Sequence, residues 1–267
     1  MVYWDRPTIK SRAKVVLRNT YWMGVLVMLV YELLTGASTT VTALFNVNNN
    51  SYGYSAYPYG YSSFYAGGYG VGNSSITGLI RALVSNPIFY IIAILAAFSG
   101  ILYFIFISSV LEVGKNSYFI NCRRGSCAFS DLFSGFRNGN YMSNVSKMFA
   151  CNIRIFLFTL LFVIPGIIKS CEYFMVPYIL AENPDIDKNR ALEISSMATR
   201  GEKWHIFVCG LSFIGWYMLG ALACGVGAMF VHPYEQATMA ELFAALRYKA
   251  EREGICQPGE IGFDVNN

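Results

Sequence analysis

Six ionisable side chains stand in stretches of this sequence that are otherwise apolar: Glu32, Arg154, Lys169, Glu172, His232 and Glu235. A charge in hydrocarbon is costly, so such groups pair with one another or line a path for an ion, a proton or a headgroup. Lys169 and Glu172 are three residues apart, as are His232 and Glu235, so each pair shares a helical face. Glu32 and Arg154 lie alone in their own apolar runs. Three carboxylates and three basic groups suffice for mutual neutralisation inside a bundle, and equally for a polar track. Helix packing order decides between these, and it is not visible in the sequence.

Little other chemistry is on offer. There are two histidines, His205 and His232, and no HExxH helix, glycine-rich phosphate loop or GxSxG elbow. The run CRRGSC from Cys122 to Cys127 is spaced like half of a metal site, but no second Cys or His pair completes it. Seven cysteines, most of them in apolar runs, read as reduced thiols and small apolar fillers. The expectation is a protein with no catalytic constellation, no metal, no cofactor and no nucleic-acid partner.

The elements that position these groups follow from where charge is missing. The chain of 267 residues is 55% hydrophobic and 13% charged, against about 25% charged in soluble domains. From Leu33 to Ile80 there is no Asp, Glu, Lys or Arg. Apolar runs near the length of a bilayer crossing predict six spans: Tyr21 to Phe45, Pro87 to Leu111, Met148 to Ile164, Ile167 to Ala181, His205 to Ala221 and Gly225 to Leu246. The basic residues gather between them, at Arg6 to Arg18, Lys115 to Lys147, Lys188 to Lys203 and Arg247 to Arg252. Since cytoplasmic loops collect Lys and Arg, both termini are expected inside a cell membrane. A five-span alternative fuses Met148 to Ala181 and puts Lys188 to Lys203 outside, against that rule. No secretory signal pattern precedes the first span, which is therefore expected to be retained. The expected fold class is an all-α integral membrane bundle of about six helices.

Three regions flank or interrupt it. Residues 1–20 form a cytoplasmic segment in which Lys10, Lys14 and Arg18 fall at i, i+4 and i+8, predicting an amphipathic helix on the membrane surface. The membrane domain is 21–246, and 247–267 is a cytoplasmic tail. Within the domain, 46–75 is an external loop of Tyr, Gly, Ser and Ala without charge. It reads as a tolerated insertion or as a sticky surface for headgroups, wall polymer or another chain. Asn49 and Asn73 begin glycosylation sequons, a motif frequent by chance.

Three stretches carry a family resemblance: IPGIIKSCEYFMVPYILAENP (Ile164 to Pro184), ALEISSMATRGEKWHIFVCGLSFIGW (Ala191 to Trp216) and GVGAMFVHPYEQATMAELF (Gly225 to Phe243). Their succession resembles a bacterial multi-pass membrane family catalogued as domain of unknown function 975. The resemblance implies an integral helical protein of the cytoplasmic membrane, most often from Gram-positive bacteria, with no established activity. A fainter likeness is to the membrane domains of some bacterial glycerophosphodiester phosphodiesterases, whose soluble catalytic domain has no room here. The Tyr-rich loop lies outside the family pattern.

The family positions also have physical readings. Pro165-Gly166 is expected to turn the chain between the third and fourth spans. Asn183-Pro184 stops the fourth helix, and Asp185 and Asp187 favour the start of the next. Gly201 ends that helix, and Lys203 and Trp204 mark re-entry at the interface. Pro233 kinks the sixth helix beside His232. The stretch 183–203 also reads as a docking surface for a cytoplasmic partner. Gly215, Gly220, Ala221, Gly225 and Gly227 suggest close helix approach, within the bundle or in a homo-oligomer. The leading functional expectation is a non-enzymatic membrane protein, transport-related or a scaffold, in contact with membrane lipids. The alternative is a factor handling lipid or cell-wall polymer.

Overall fold

A computed structural model describes residues 4–35, 87–137, 139, 141–222, 227–257 and 259–262. Among these the chain is all-helical, with no strand. The external loop 46–75 lies outside the described residues, as do Ala223 to Val226 and the last five residues. Two compact units are distinguished, one of residues 1–46 and 104–267 and one of residues 47–103. The described part of the second is a single apolar helix, α2 (Pro87–Tyr103), on which Ile88, Ile91, Ile94 and Leu95 are exposed.

The first unit holds the remaining helices. α1 is Arg6–Thr35, α3 Ser109–Arg123, α4 Ser134–Arg137, α5 Tyr141–Leu161 and α6 Val163–Glu172. α7 is Val176–Glu182, α8 Lys188–Ala198, α9 Lys203–Leu211, α10 Ile214–Leu222 and α11 Gly227–Arg252. A π turn, Phe104–Ser108, leads into α3, and a short 3-10 helix, Phe129–Phe133, precedes α4. Four helical stretches are long and apolar enough to cross a membrane: Arg6–Thr35, Tyr90–Arg123, Tyr141–Leu161 and Val163–Glu182.

Several expected boundaries move. The basic stretch and the first apolar run are one unbroken helix, because nothing between Arg18 and Tyr21 breaks it. Its Ile9, Ala13 and Leu17 are buried in protein, so the basic stretch is the N-terminal part of α1 and not a separate helix. α3 continues past Leu111 to Arg123, which places Lys115 and Asn116 in the core and not in a loop. The chain turns between α5 and α6 at Phe162, earlier than Pro165-Gly166. Pro165 instead sits in the first turn of α6, where its missing N–H has no helical partner to lose. Gly166 lets α6 touch α5: a Cβ there would stand 2.8 Å from Thr159 Cα.

The expected fourth span is α6 and α7 joined by a turn at Tyr173 to Met175, and the fifth is α9 and α10 broken at Ser212 and Phe213. α7 ends at Asn183, whose side chain accepts from Asp185 N and donates to Glu260 O at 2.9 Å. Asp187 caps α8 by accepting from Asn189 N and Arg190 N, which holds its carboxyl below the usual range. Gly201 leaves α8 with φ +83°. Where Gly220 and Gly227 meet, each would drive a Cβ into the other's backbone, whereas Gly215 faces open space.

Residues 255–262 are no free tail. Ile261 and Cys256 are buried, Arg190 binds Glu260 at 2.7 Å, and Arg247 donates to Gly262 O. The segment thereby covers part of the 183–203 surface, leaving Asp185, Lys188, Asn189, Glu193 and Arg200 exposed.

Candidate functional site

Where α1, α10 and α11 converge, four side chains form one polar chain. His232 Nε2 lies 3.1 Å from Glu32 Oε1, a contact at ion-pair distance without hydrogen-bond angles. His232 Nδ1 lies 3.2 Å from Tyr217 Oη. Tyr217 Oη donates to Glu235 Oε2. Glu32 is 6% exposed, which decides its character as an interior carboxylate. Helix geometry explains the convergence: His232 and Glu235 share the i, i+3 face of α11, and Pro233 between them packs at Gly24 of α1. A Cβ at Gly24 would lie 3.4 Å from Pro233 Cβ, so α1 approaches α11 closely there. Tyr21 locks the same crossing by donating to Phe230 O at 3.0 Å.

Proton bookkeeping gives this chain its chemistry. Tyr217 has one proton, directed to Glu235, so its oxygen accepts from His232 Nδ1–H. Neutral imidazole then presents a lone pair at Nε2 toward Glu32, 3.1 Å away, and in the state with Glu32 protonated that proton is the one available to it. If that proton passes to Nε2, Nδ1–H can pass to Tyr217 and the Tyr217 proton to Glu235. The end states hold the same three protons and the same charge. They differ in whether Glu32 or Glu235 is the acid and in which nitrogen of His232 carries its proton. The arrangement can therefore move a proton from one carboxylate to the other.

Lys115 is a further ionisable group in the interior. It is buried on α3, with its Nζ 4.8 Å from the Tyr31 ring. It also lines a cavity of about 330 Å³, with Glu112, Asn116, Asn152, Ser170 and Gln236 as further polar walls. Gln236 follows Glu235 on α11, so adjacent residues serve the relay and the cavity.

The other sequence candidates fall elsewhere. Glu172 lies in a separate cluster, accepting from Lys169 at 2.7 Å, Lys203 at 2.5 Å and Ser196 at 3.1 Å. Arg154 is half-buried on α5 and makes no ion pair with a described residue; Lys203, expected as an interface anchor, takes the second place at Glu172. Trp204 beside it is exposed. The cavity is thus not walled by Glu32, Glu172 and Glu235 together. Sequence reasoning missed Tyr217, Lys115, Glu112 and the second role of Lys203. Only the helical continuation of the second apolar run past Leu111 could have flagged Lys115.

Below the relay lies a denser ionic layer. Arg124 binds Glu182 at 2.6 Å, Arg247 binds Glu251 at 3.0 Å and Arg123 binds Glu241 at 3.4 Å. Lys249 donates to the carbonyls of Ala198 and Arg200, the C-terminal end of α8. The Arg190 guanidinium holds Glu260 below the usual carboxylate range, and burial pushes the Cys256 thiol up to about 11. Among the described residues no group of three or more His, Cys, Asp or Glu side chains is arranged for a metal ion.

Fold and site together define an all-helical protein, with helices apolar enough to cross a membrane and a part-buried chain of Glu32, His232, Tyr217 and Glu235 side chains. Residues 147–250 match the family described as protein of unknown function (DUF975). No curated protein and no solved structure matches the chain.

Proposed function

We propose that this is a multi-pass, non-enzymatic protein of the cell membrane, transport-related, in which the relay from Glu32 to Glu235 takes up and passes a proton. One observation carries the reading: two carboxylates joined through an imidazole and a phenol, inside an otherwise apolar helical crossing. Ionisable residues inside membrane helices are functional-site candidates by default. Six crossings with both termini cytoplasmic accompany it, supported by the four basic clusters that alternate with the apolar runs. In this reading α7 and α11 extend from the bilayer into the ionic layer on the inner side.

The chain has only two histidines, which makes the relay directly observable. In His205→Gln protein, ¹⁵N-histidine NMR reads His232 alone. The reading expects both ring tautomers, exchanging with one another, and a single one after Tyr217→Phe. An imidazole that titrates as in free solution, unchanged by Tyr217→Phe, refutes the relay.

A further inference from the structure

Beside α1 an apolar groove of about 570 Å³ is walled by Tyr21, Trp216, Phe230 and Val231, with Lys14 and Arg18 at its edge. Trp216 and Phe230 are 52% and 42% exposed, so the groove is open along its side. Trp22 on α1, also exposed, packs edge-on to Phe230 at 6.4 Å between ring centroids and extends the groove's apolar wall. Lys14 and Arg18 are one helical turn apart and both exposed. Neither has a carboxylate at ion-pair distance among the described residues; the Lys14 ammonium lies 5.7 Å from the Tyr234 ring. Lys10, one turn earlier, is likewise held only over an aromatic ring, at 4.5 Å from Phe213. Two adjacent cations without anions, at the mouth of an apolar channel, complement a molecule that has an anionic head and a hydrocarbon tail.

We propose that this groove is a binding site for one anionic phospholipid. Its phosphate sits between Lys14 and Arg18, and an acyl chain runs along Tyr21, Trp216, Phe230 and Val231. Arg supplies a planar pair of donors and Lys a mobile point charge, a combination suited to a phosphodiester. The site rests on the membrane reading and is independent of proton relay.

The test is native mass spectrometry of the full chain in mild detergent, titrated with palmitoyl-oleoyl phosphatidylglycerol or phosphatidylcholine. The wild type should retain phosphatidylglycerol preferentially. Lys14→Gln/Arg18→Gln should weaken it roughly thirtyfold, the factor for two basic groups at a lipid surface, and leave phosphatidylcholine unchanged. Arg12→Gln/Arg137→Gln removes equal charge elsewhere and should change neither. Equal retention of both lipids by the wild type, or unaltered phosphatidylglycerol binding in the Lys14/Arg18 variant, overturns the site. Should that variant fail to fold, brominated phosphatidylglycerol must quench wild-type fluorescence more than brominated phosphatidylcholine, with the excess lost in Trp216→Phe; equal quenching overturns the site too. A chain that fractionates as soluble without detergent refutes the membrane reading instead, whereas a membrane-bound chain lacking lipid preference refutes only this site.

Discussion

Replacing Glu172 by leucine removes the acceptor of three side-chain hydrogen bonds, from Lys169, Lys203 and Ser196. Bonds to charged groups contribute about 1.5–3 kcal/mol each. The two lysines are 25% and 32% exposed, so both can rehydrate partly and the full sum is not lost. The bonds that the Ser195 and Thr199 hydroxyls donate to the Glu172 backbone carbonyl survive the substitution. Together these terms put Glu172→Leu at roughly 3 kcal/mol, near the low end for breaking a buried ion pair. For a chain of this size that lowers Tm by roughly 6–12 °C. Glu172→Gln keeps an acceptor and should lose about half as much. Removing the stranded charges as well, in Lys169→Met/Glu172→Leu/Lys203→Met, should recover more than half of the loss. Lys169→Met/Glu172→Leu should recover less, because Lys203 remains. Intrinsic-fluorescence melting in mild detergent ranks the series. A Glu172→Leu Tm within about 1 °C of wild type, or a triple variant no better than the single, refutes the reasoning.

Other consequences can be checked together. Gly262→Ala should release the docked segment, since Gly262 has φ +96° and its Cβ would enter Glu182; limited proteolysis should then cleave within 253–262. Gly114→Ala should destabilise by several kcal/mol, because the new Cβ meets the Leu132 carbonyl carbon at 2.7 Å and backbone there cannot yield; unaltered melting contradicts this close packing. The Arg190–Glu260 clasp should be pH-dependent. Glu260 is depressed in the folded chain, so its contribution is complete above about 4.5, its ordinary value, and is lost as pH falls through the lower folded value. Hydrogen exchange at 255–262 should accelerate over that window in wild type and be already fast in Glu260→Gln. Cysteine probes at Ser126 or Asn189 should resist labelling from outside the cell, and labelling at Asn189 would restore the five-span alternative.

How much of this was legible in the sequence depends on what each feature rests on. Glu32, His232 and Glu235 stand out because ionisable residues are rare in apolar runs, and packing does unite them. Tyr217 is one of 19 tyrosines; only the register of α10 against α11 selects it. Lys115 was hidden because its apolar run ends at Leu111 while the helix does not, as Leu132 and Asp131 cover the polar continuation. Arg154 stood out as an ionisable residue in an apolar run, yet it makes no ion pair with a described residue, and α9 brings Lys203 to Glu172 instead. The docked segment has only Ile255, Cys256 and Ile261 as apolar anchors, too short a pattern to read. Local stops such as Asn183, Asp187 and Gly201 were legible because their causes are local. Pro165 misled because a proline is as comfortable in a helix's first turn as in the turn before it.

Proton movement is the central claim, and proteoliposomes measure it most directly. Purified protein is reconstituted with an internal pH-sensitive dye, a potassium diffusion potential is imposed with valinomycin, and dye response is followed after a pH step. The account predicts faster equilibration than in empty liposomes, reduced at least tenfold by Tyr217→Phe, which deletes the one hydroxyl joining His232 to Glu235. Vesicles as tight as empty ones, or equal rates for wild type and Tyr217→Phe, would contradict it and leave the buried chain as a structural clasp in a scaffold.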